Sequence, residues 1–274
     1  MKRYGNEKLN NIISEIAETG EMLWTKDWAE RNAGNISVNI EDCIDSNVKK
    51  ELSGFQVSCF DLDKSYPGIA GHHFIVTGTG KRMRDLAKDP DKNSIIIRIN
   101  NDGKRYEILS PADSDSPVFP TSELPTHLAI HEHMGITGSP EKALLHTHPT
   151  ELIALTQIKD FCNEEALNHL LWQMHPETIM MVPEGAGFIP YILPGTNEIA
   201  DSTLMKFKDH KIVLWEKHGC LAIGKDVVEA FDLIDLVAKS ARIYFLCKMA
   251  GHSPQGFSAS QLAELKELGK KFLS

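Results

Sequence analysis

The chain has 274 residues, of which 42% are hydrophobic and 24% charged, and its formal net charge is -9. That length allows one large domain or two ordinary ones, and the acidic balance excludes bulk electrostatic attraction to nucleic acid or an anionic membrane. No apolar run reaches bilayer length, Met1–Gly5 leads into a polar amphipathic stretch and not a signal core, and Cys43, Cys59, Cys162, Cys220 and Cys247 lack CxxC spacing, as expected of reduced thiols in a cytoplasmic protein.

Leu9, Ile12, Ile13, Ile16 and Leu23 recur at helical spacing and predict a helix from Asn6 to about Lys26, weakened at Gly20. Arg31-Asn32-Ala33-Gly34-Asn35 is an Asn/Gly turn feeding a strand through Ile36 and Val38. Such a turn can offer backbone N–H groups to an anion, or it can simply join helix to strand; alone, the segment favours the plainer role. From Glu41 to Ala70 the chain reads as an irregular excursion with one short strand at most. His72 to Val76 predicts a strand running into Thr77-Gly78-Thr79-Gly80-Lys81, which suits a phosphate but matches neither a P-loop nor a dinucleotide fingerprint. Ser94 to Arg98 and Arg105 to Leu109 read as a hairpin across Asn101-Asp102-Gly103.

Thr121 or Ser122 can cap a helix running to about Met134, which places hydroxyls and the Glu123 carboxylate at a positive helix end. His127 and His131 follow Glu123 at i+4 and i+8 and, with His133, form a rival metal cluster; the plainer expectation is a partly exposed helix side. Leu144-Leu145-His146-Thr147-His148-Pro149 is a strand whose two histidines point to the same side. Ile153 to Ile158 and Cys162 to Met174 look helical, Thr178 to Val182 and Ile189 to Leu193 look like strands, and Thr196 opens a helix to about Asp209. Ile212 to Trp215 predicts a strand leading to Glu216-Lys217-His218-Gly219. Asp226 caps a well-buried helix to Ala250, and Ser258-x-x-Gln261 is a capping box for a last short helix. Few helices fall between apolar strands as crossovers. The expected architecture is a single α/β domain over residues 1–274, with a mixed, mainly antiparallel central sheet covered by helices on both sides in three α/β/α layers.

His146, His148 and His218 each end or follow a strand. Each alone can be an ordinary satisfied histidine; together, with Glu123 nearby, they supply an open zinc site of three nitrogens, a carboxylate and an exchangeable position. Such a site can activate water in a hydrolase. It can also take up the charge that develops when a phosphorylated ketone loses a carbon-bound proton or a carbon–carbon bond, while the carboxylate carries the proton. A zinc-stabilised binding module without catalysis is the remaining alternative.

Five segments in order resemble the zinc-dependent class II aldolases acting on sugar phosphates: Arg31–Ser37, Val76–Gly80, Pro120–Pro125, His146–Pro149 and Lys217–Gly219. Fuculose-phosphate aldolases, ribulose-phosphate 4-epimerases and some dehydratases belong to the same family. The resemblance spans roughly residues 6–265, and the long excursion between Ser37 and Val76 is most similar to the rhamnulose-type branch. It implies one Zn²⁺ per subunit on His146, His148 and His218, with Glu123 as general acid/base. It implies a phosphate held by Asn32, Gly34, Asn35, Thr79, Gly80, Thr121 and Ser122. It further implies a cyclic homotetramer with active sites at subunit contacts, where Glu177 matches an acid that acts across the interface on the aldehyde oxygen.

Overall fold

The computed structural model describes residues 4–110 and 118–273; Met1–Arg3 of the polar leading stretch lie outside them. The strands are β1 (Asn35–Asn39), β2 (Gln56–Asp61), β3 (His73–Thr77), β4 (Ser94–Ile99), β5 (Arg105–Ser110), β6 (Ala143–Thr147), β7 (Ala186–Ile189), β8 (Ile212–Trp215) and β9 (Gly219–Gly224). They form one nine-stranded sheet in the order β2-β5-β4-β3-β1-β6-β9-β8-β7. Every neighbouring pair is antiparallel except β7 with β8. The helices are α1 (Glu7–Thr25), α2 (Ser46–Leu52), α3 (Met83–Leu86), α4 (Pro90–Asn93), α5 (Leu124–Thr137) and α6 (Thr150–Leu155). They continue with α7 (Glu164–Met174), α8 (Pro176–Met181), α9 (Asn197–Lys206), α10 (Val227–Met249) and α11 (Ala259–Leu273).

Period-two alternation sorts the strand side chains between two cores. Ile36, Val38, Ile75 and Leu145 join the core beneath α1 and α10. Phe74 and Val76 face Leu124 and Leu128 of α5, and Leu144 meets Ile130 and Met134 of α5 and Ile199 of α9. The mixed sheet with helices on both faces is therefore the α/β arrangement expected. Asn35 and Ser37 share the α5 face with Leu144 and His146, because Asn35 pairs with His146 and Ser37 with Leu144 across the β1–β6 ladder.

The capping signals act as their chemistry requires. Asn6 accepts the Leu9 amide at 3.0 Å and Asp226 accepts that of Glu229 at 2.7 Å. Ser258 and Gln261 close a reciprocal capping box at 2.8 and 3.3 Å. Gly20, a weak point in the α1 pattern, is there for packing: a Cβ would stand 3.1 Å from the Met83 carbonyl oxygen of α3.

Three expectations are corrected, and one strand is added. Thr178 to Val182 is not a strand: α8 covers Pro176–Met181, with Pro176 starting the helix and its apolar residues packing on α7, α10 and α11. The strand near Ile189 ends there instead of beginning, as β7 spans Ala186–Ile189. The 41–70 excursion holds one strand, β2, as that reading allowed, and also α2, a helix of seven residues that the irregular reading left out. Short β9 was not anticipated, since its Gly-Cys-Leu-Ala-Ile-Gly sequence is buried throughout and shows no period.

His127 and His131 lie not on an exposed helix side but buried against β1, at 0% and 2% exposure. Burial pushes His127 down to about 4 and His131 to about 3. Unfolded imidazoles titrate near ~6.5. Between these values the unfolded chain takes up protons that the folded chain refuses, so this stability is complete above ~6.5 and declines as pH falls. In denaturant titrations of metal-free protein, the unfolding midpoint is expected to drop steadily from pH ~6.5 to ~4, and His131→Gln should flatten that drop; a pH-independent midpoint would contradict the buried neutral rings.

Candidate metal centre

Antiparallel pairing brings the chemistry to one end of the sheet. The start of β1 lies beside the ends of β3 and β6, and the β8–β9 turn lies beside the end of β6, where Thr147 pairs with Cys220. His146 on β6, His148 just past it and His218 in the β8–β9 turn therefore converge. Their candidate ligand atoms all lie within 4.8 Å of one another, and their ring centroids are 4.9 to 5.1 Å apart.

Neighbours aim each ring. His146 Nδ1 donates to the Cys220 carbonyl at 2.9 Å, and His148 Nδ1 donates to Glu30 Oε1 at 2.9 Å. With those protons on Nδ1, two Nε2 lone pairs face each other 3.2 Å apart. Lone pairs so placed call for a cation between them. His218 completes the cage from a turn in which Lys217 takes a left-handed φ of 61°. The Lys217 amide is tied to Thr156 Oγ1 at 2.9 Å, and His218 Nδ1 is buried without a hydrogen-bond partner among the described residues. Gly219 must remain small, because a Cβ there would meet the Thr147 carbonyl oxygen at 2.4 Å and His148 Cδ2 at 2.9 Å.

Burial, then the neighbouring His148, pushes the His146 imidazole down to about 3. Burial, then His146 and His148, pushes His218 down to about 4. Both rings are thus neutral near pH 7, the state that binds metal. Trp215 floors the cluster, 5.1 Å from both His146 and His218 between ring centroids. Glu123 stands at the N-cap of α5, with Oε1 3.8 Å from His146 Nε2. Three converging imidazoles with an unsatisfied nitrogen, one adjacent carboxylate and an open side fit a catalytic divalent metal. That side is a cleft of about 530 Å³ lined by Glu30, His148, Tyr191, Trp215, Lys217 and His218.

The expected phosphate residues fall into two groups. The Thr79 amide donates to the Phe119 carbonyl at 2.8 Å and the Thr121 amide to that of Thr77 at 2.9 Å, so the loops carrying Thr79, Gly80, Thr121 and Ser122 are stitched together. The Ile36 amide donates to Thr77 Oγ1 at 3.0 Å, which joins the Asn32–Asn35 turn to the same end of the sheet. Asn32, Thr79, Gly80 and Ser122 are exposed there. Asn35 turns inward instead: its side chain donates to Glu123 Oε2 at 3.0 Å and accepts from His127. Thr121 is buried and accepts the Glu123 amide at 3.3 Å, so the helix starts after Glu123 and not at Thr121 or Ser122. Glu177 does not join the histidines; it is on α8, half exposed, with His175 Nε2 at 2.9 Å. Glu30 is a site residue that sequence reasoning missed, because no local spacing links it to His148, 118 positions away.

The chain is similar to known sugar-phosphate aldolases. The chain is 42% identical over 253 residues to the rhamnulose-1-phosphate aldolase of Bacteroides thetaiotaomicron, covering 92% of each protein. It is 34% identical over 263 residues to that of Listeria monocytogenes, covering 95% of this chain and 93% of the relative. A crystal structure of a sugar-phosphate aldolase from Thermotoga maritima superposes with a TM-score of 0.76 at 33% identity, over 91% of this chain and all of that one. Residues 14–245 match the family described as Class II Aldolase and Adducin N-terminal domain, and to that family this chain belongs.

Proposed function

We propose that the chain is an aldolase that cleaves L-rhamnulose 1-phosphate to dihydroxyacetone phosphate and L-lactaldehyde, using one Zn²⁺ held by His146, His148 and His218. The observation that carries this reading is the trio of converging imidazoles with the Glu123 carboxylate 3.8 Å from His146 Nε2. The curated relatives that share most of the chain carry the rhamnulose-1-phosphate aldolase name, which favours that sugar over the fuculose and ribulose phosphates.

When bound, the metal supplies Lewis-acid stabilisation of the negative charge that develops on the ketose oxygens. The protein supplies the rest. In the cleavage direction the C4 hydroxyl passes its proton to the Glu177 carboxylate, the C3–C4 bond breaks and releases the aldehyde, and a proton delivered to C3 from the acid form of Glu123 completes the triose phosphate; exchange with water then restores both carboxyl groups. Glu123 is the group placed to deliver that proton, and in the reverse direction to remove it. Asn32, Gly34, Thr79, Gly80, Thr121 and Ser122 form the phosphate end, where hydroxyls, an amide and backbone donors replace a cationic cluster in an otherwise acidic chain. Asn35 belongs to that turn, but its side chain serves Glu123. Glu177, exposed on α8, acts from a neighbouring copy on the aldehyde oxygen, which requires an oligomer with shared active sites; we assign a homotetramer. The chain works as one catalytic domain in the cytoplasm. Among the described residues no helix is long and apolar enough to cross a membrane.

Two results check this. Glu123→Gln should retain the metal yet lower turnover of L-rhamnulose 1-phosphate by ~10²-fold or more, the scale for losing a positioned acid/base. The assay must detect free dihydroxyacetone phosphate, since a 4-epimerase would release none. His148→Ala should lose most bound zinc by elemental analysis after dialysis; tight retention would remove His148 from the metal site.

A further inference from the structure

Glu123, His127 and His131 recur at i, i+4 and i+8 on α5, and two residues of β1 interleave with them. Asn35 Nδ2 donates to Glu123 Oε2 at 3.0 Å, and Asn35 Oδ1 meets His127 Nε2. Ser37 Oγ lies 2.6 Å from His127 Nδ1 and 2.8 Å from His131 Nε2. The fit is geometric: two residues advance a strand by ~6.8 Å and four advance a helix by ~6.0 Å, so rungs along a strand and a helix running side by side stay nearly in step.

The directions of these bonds are fixed in turn. The carboxylate only accepts, so the Asn35 amide must donate to it and present its oxygen to His127. His127 Nε2 must then carry the proton. In a neutral ring Nδ1 is left to accept, so the Ser37 hydroxyl donates to it and in turn accepts from His131 Nε2–H. Reversing the Asn35 amide would set its oxygen against the carboxylate, so one orientation is strongly preferred. Burial keeps the His127 ring neutral, in agreement with this pattern. Both nitrogens of His127 have protein partners, so His127 has no lone pair to offer a metal.

We propose that His131, Ser37, His127 and Asn35 form a one-way hydrogen-bond chain that fixes Glu123 Oε2 and leaves Oε1 as the working oxygen facing the metal centre. His127 and Asn35 are positioning residues: neither touches the candidate ligand atoms, and both act through Glu123. A chain of aligned bonds in a dry interior is stiffer than its members taken singly. A carboxylate displaced by about 1 Å loses on the order of 10²-fold in rate. The catalytic consequence rests on the aldolase reading; the bond directions do not.

The experiment has two arms. In the first, zinc-loaded wild type, His127→Leu, His127→Gln and Ser37→Ala are compared for kcat, KM and metal content with L-rhamnulose 1-phosphate. His127→Leu should lower kcat ~10- to 10²-fold, with KM within about twofold and zinc unchanged. His127→Gln, which keeps a donor at the Nε2 position, should recover most of that loss. Ser37→Ala, a smaller change that preserves the fold if His127→Leu does not, should lower kcat ~3- to 10-fold. A folded, zinc-loaded His127→Leu or Ser37→Ala with wild-type kcat overturns the proposal, as does a Gln variant as impaired as Leu. In the second arm, ¹⁵N NMR of the histidine rings needs no substrate: His127 should be a neutral Nε2–H tautomer near pH 7. An Nδ1–H tautomer overturns the chain. A wild type inactive on the sugar but showing Nε2–H instead overturns the aldolase reading and leaves the hydrogen-bond chain standing.

Discussion

The register of β1 against β6 is the constraint on which the site depends. Asn35 lies opposite His146, so the residue that grips Glu123 and the first candidate metal ligand are cross-strand neighbours on one face. A slip of β1 by one residue would send Ile36 to that face and bury Asn35 and Ser37 in the core beneath α1 and α10. The large apolar cores on both faces resist such a slip, because it would take Ile36 and Val38 out of their packing, each worth roughly 1.5–3 kcal/mol of burial, and put Asn35 and Ser37 among apolar side chains. Packing spread over the whole sheet thereby holds a carboxylate and an imidazole 3.8 Å apart.

Desolvation sets the chemistry that this register makes available. Imidazoles buried at the sheet end cannot hold a proton near neutral pH, so their nitrogens are free for a cation without competition from H⁺. The same burial would be costly for polar rings left unsatisfied, and the structure answers with partners: the Cys220 carbonyl for His146, Glu30 for His148, and Ser37 with Asn35 for His127. The His218 Nδ1 is the exception, buried without a hydrogen-bond partner among the described residues. Unpartnered nitrogens and opposed lone pairs make the metal-free arrangement less stable than the loaded one, so metal binding and local folding are linked there.

Much of this was legible in the sequence where one residue type does one job in one periodicity. Asp226 and Ser258 at caps and the Asn101-Asp102-Gly103 hairpin follow from local geometry and appear as expected, and His146 and His148 converge although β6 ends at Thr147, between them. The failures come where the deciding contact is distant in the chain or where burial leaves no period to read. Glu30 orients His148 from 118 residues away. Thr178 to Val182 looks like a strand by composition, but Pro176 and the surfaces of α7, α10 and α11 make it a helix. Strand β9 is buried along its whole length, so it has no alternation to detect.

The helix histidines show most clearly what spacing leaves open. His127 and His131 at i and i+4 satisfy a helical metal pattern as well as His146 and His148 satisfy a strand one. All four end up buried or nearly so, and three of them have strongly lowered basicity. What separates the two pairs is which atoms the neighbouring strand offers. Beside β6 only the Nδ1 side of each ring finds an acceptor, so Nε2 is left facing a partner that cannot donate. Beside β1, Asn35 and Ser37 reach the rings with an oxygen and a hydroxyl, so His127 is satisfied at both nitrogens and has no lone pair to give a metal. A histidine's role in this fold is therefore decided by the residues at positions 35 and 37 as much as by its own place on the helix or strand. A change at either position would act on Glu123 without touching the metal, and that separates the geometry of the acid/base from the geometry of the ligands.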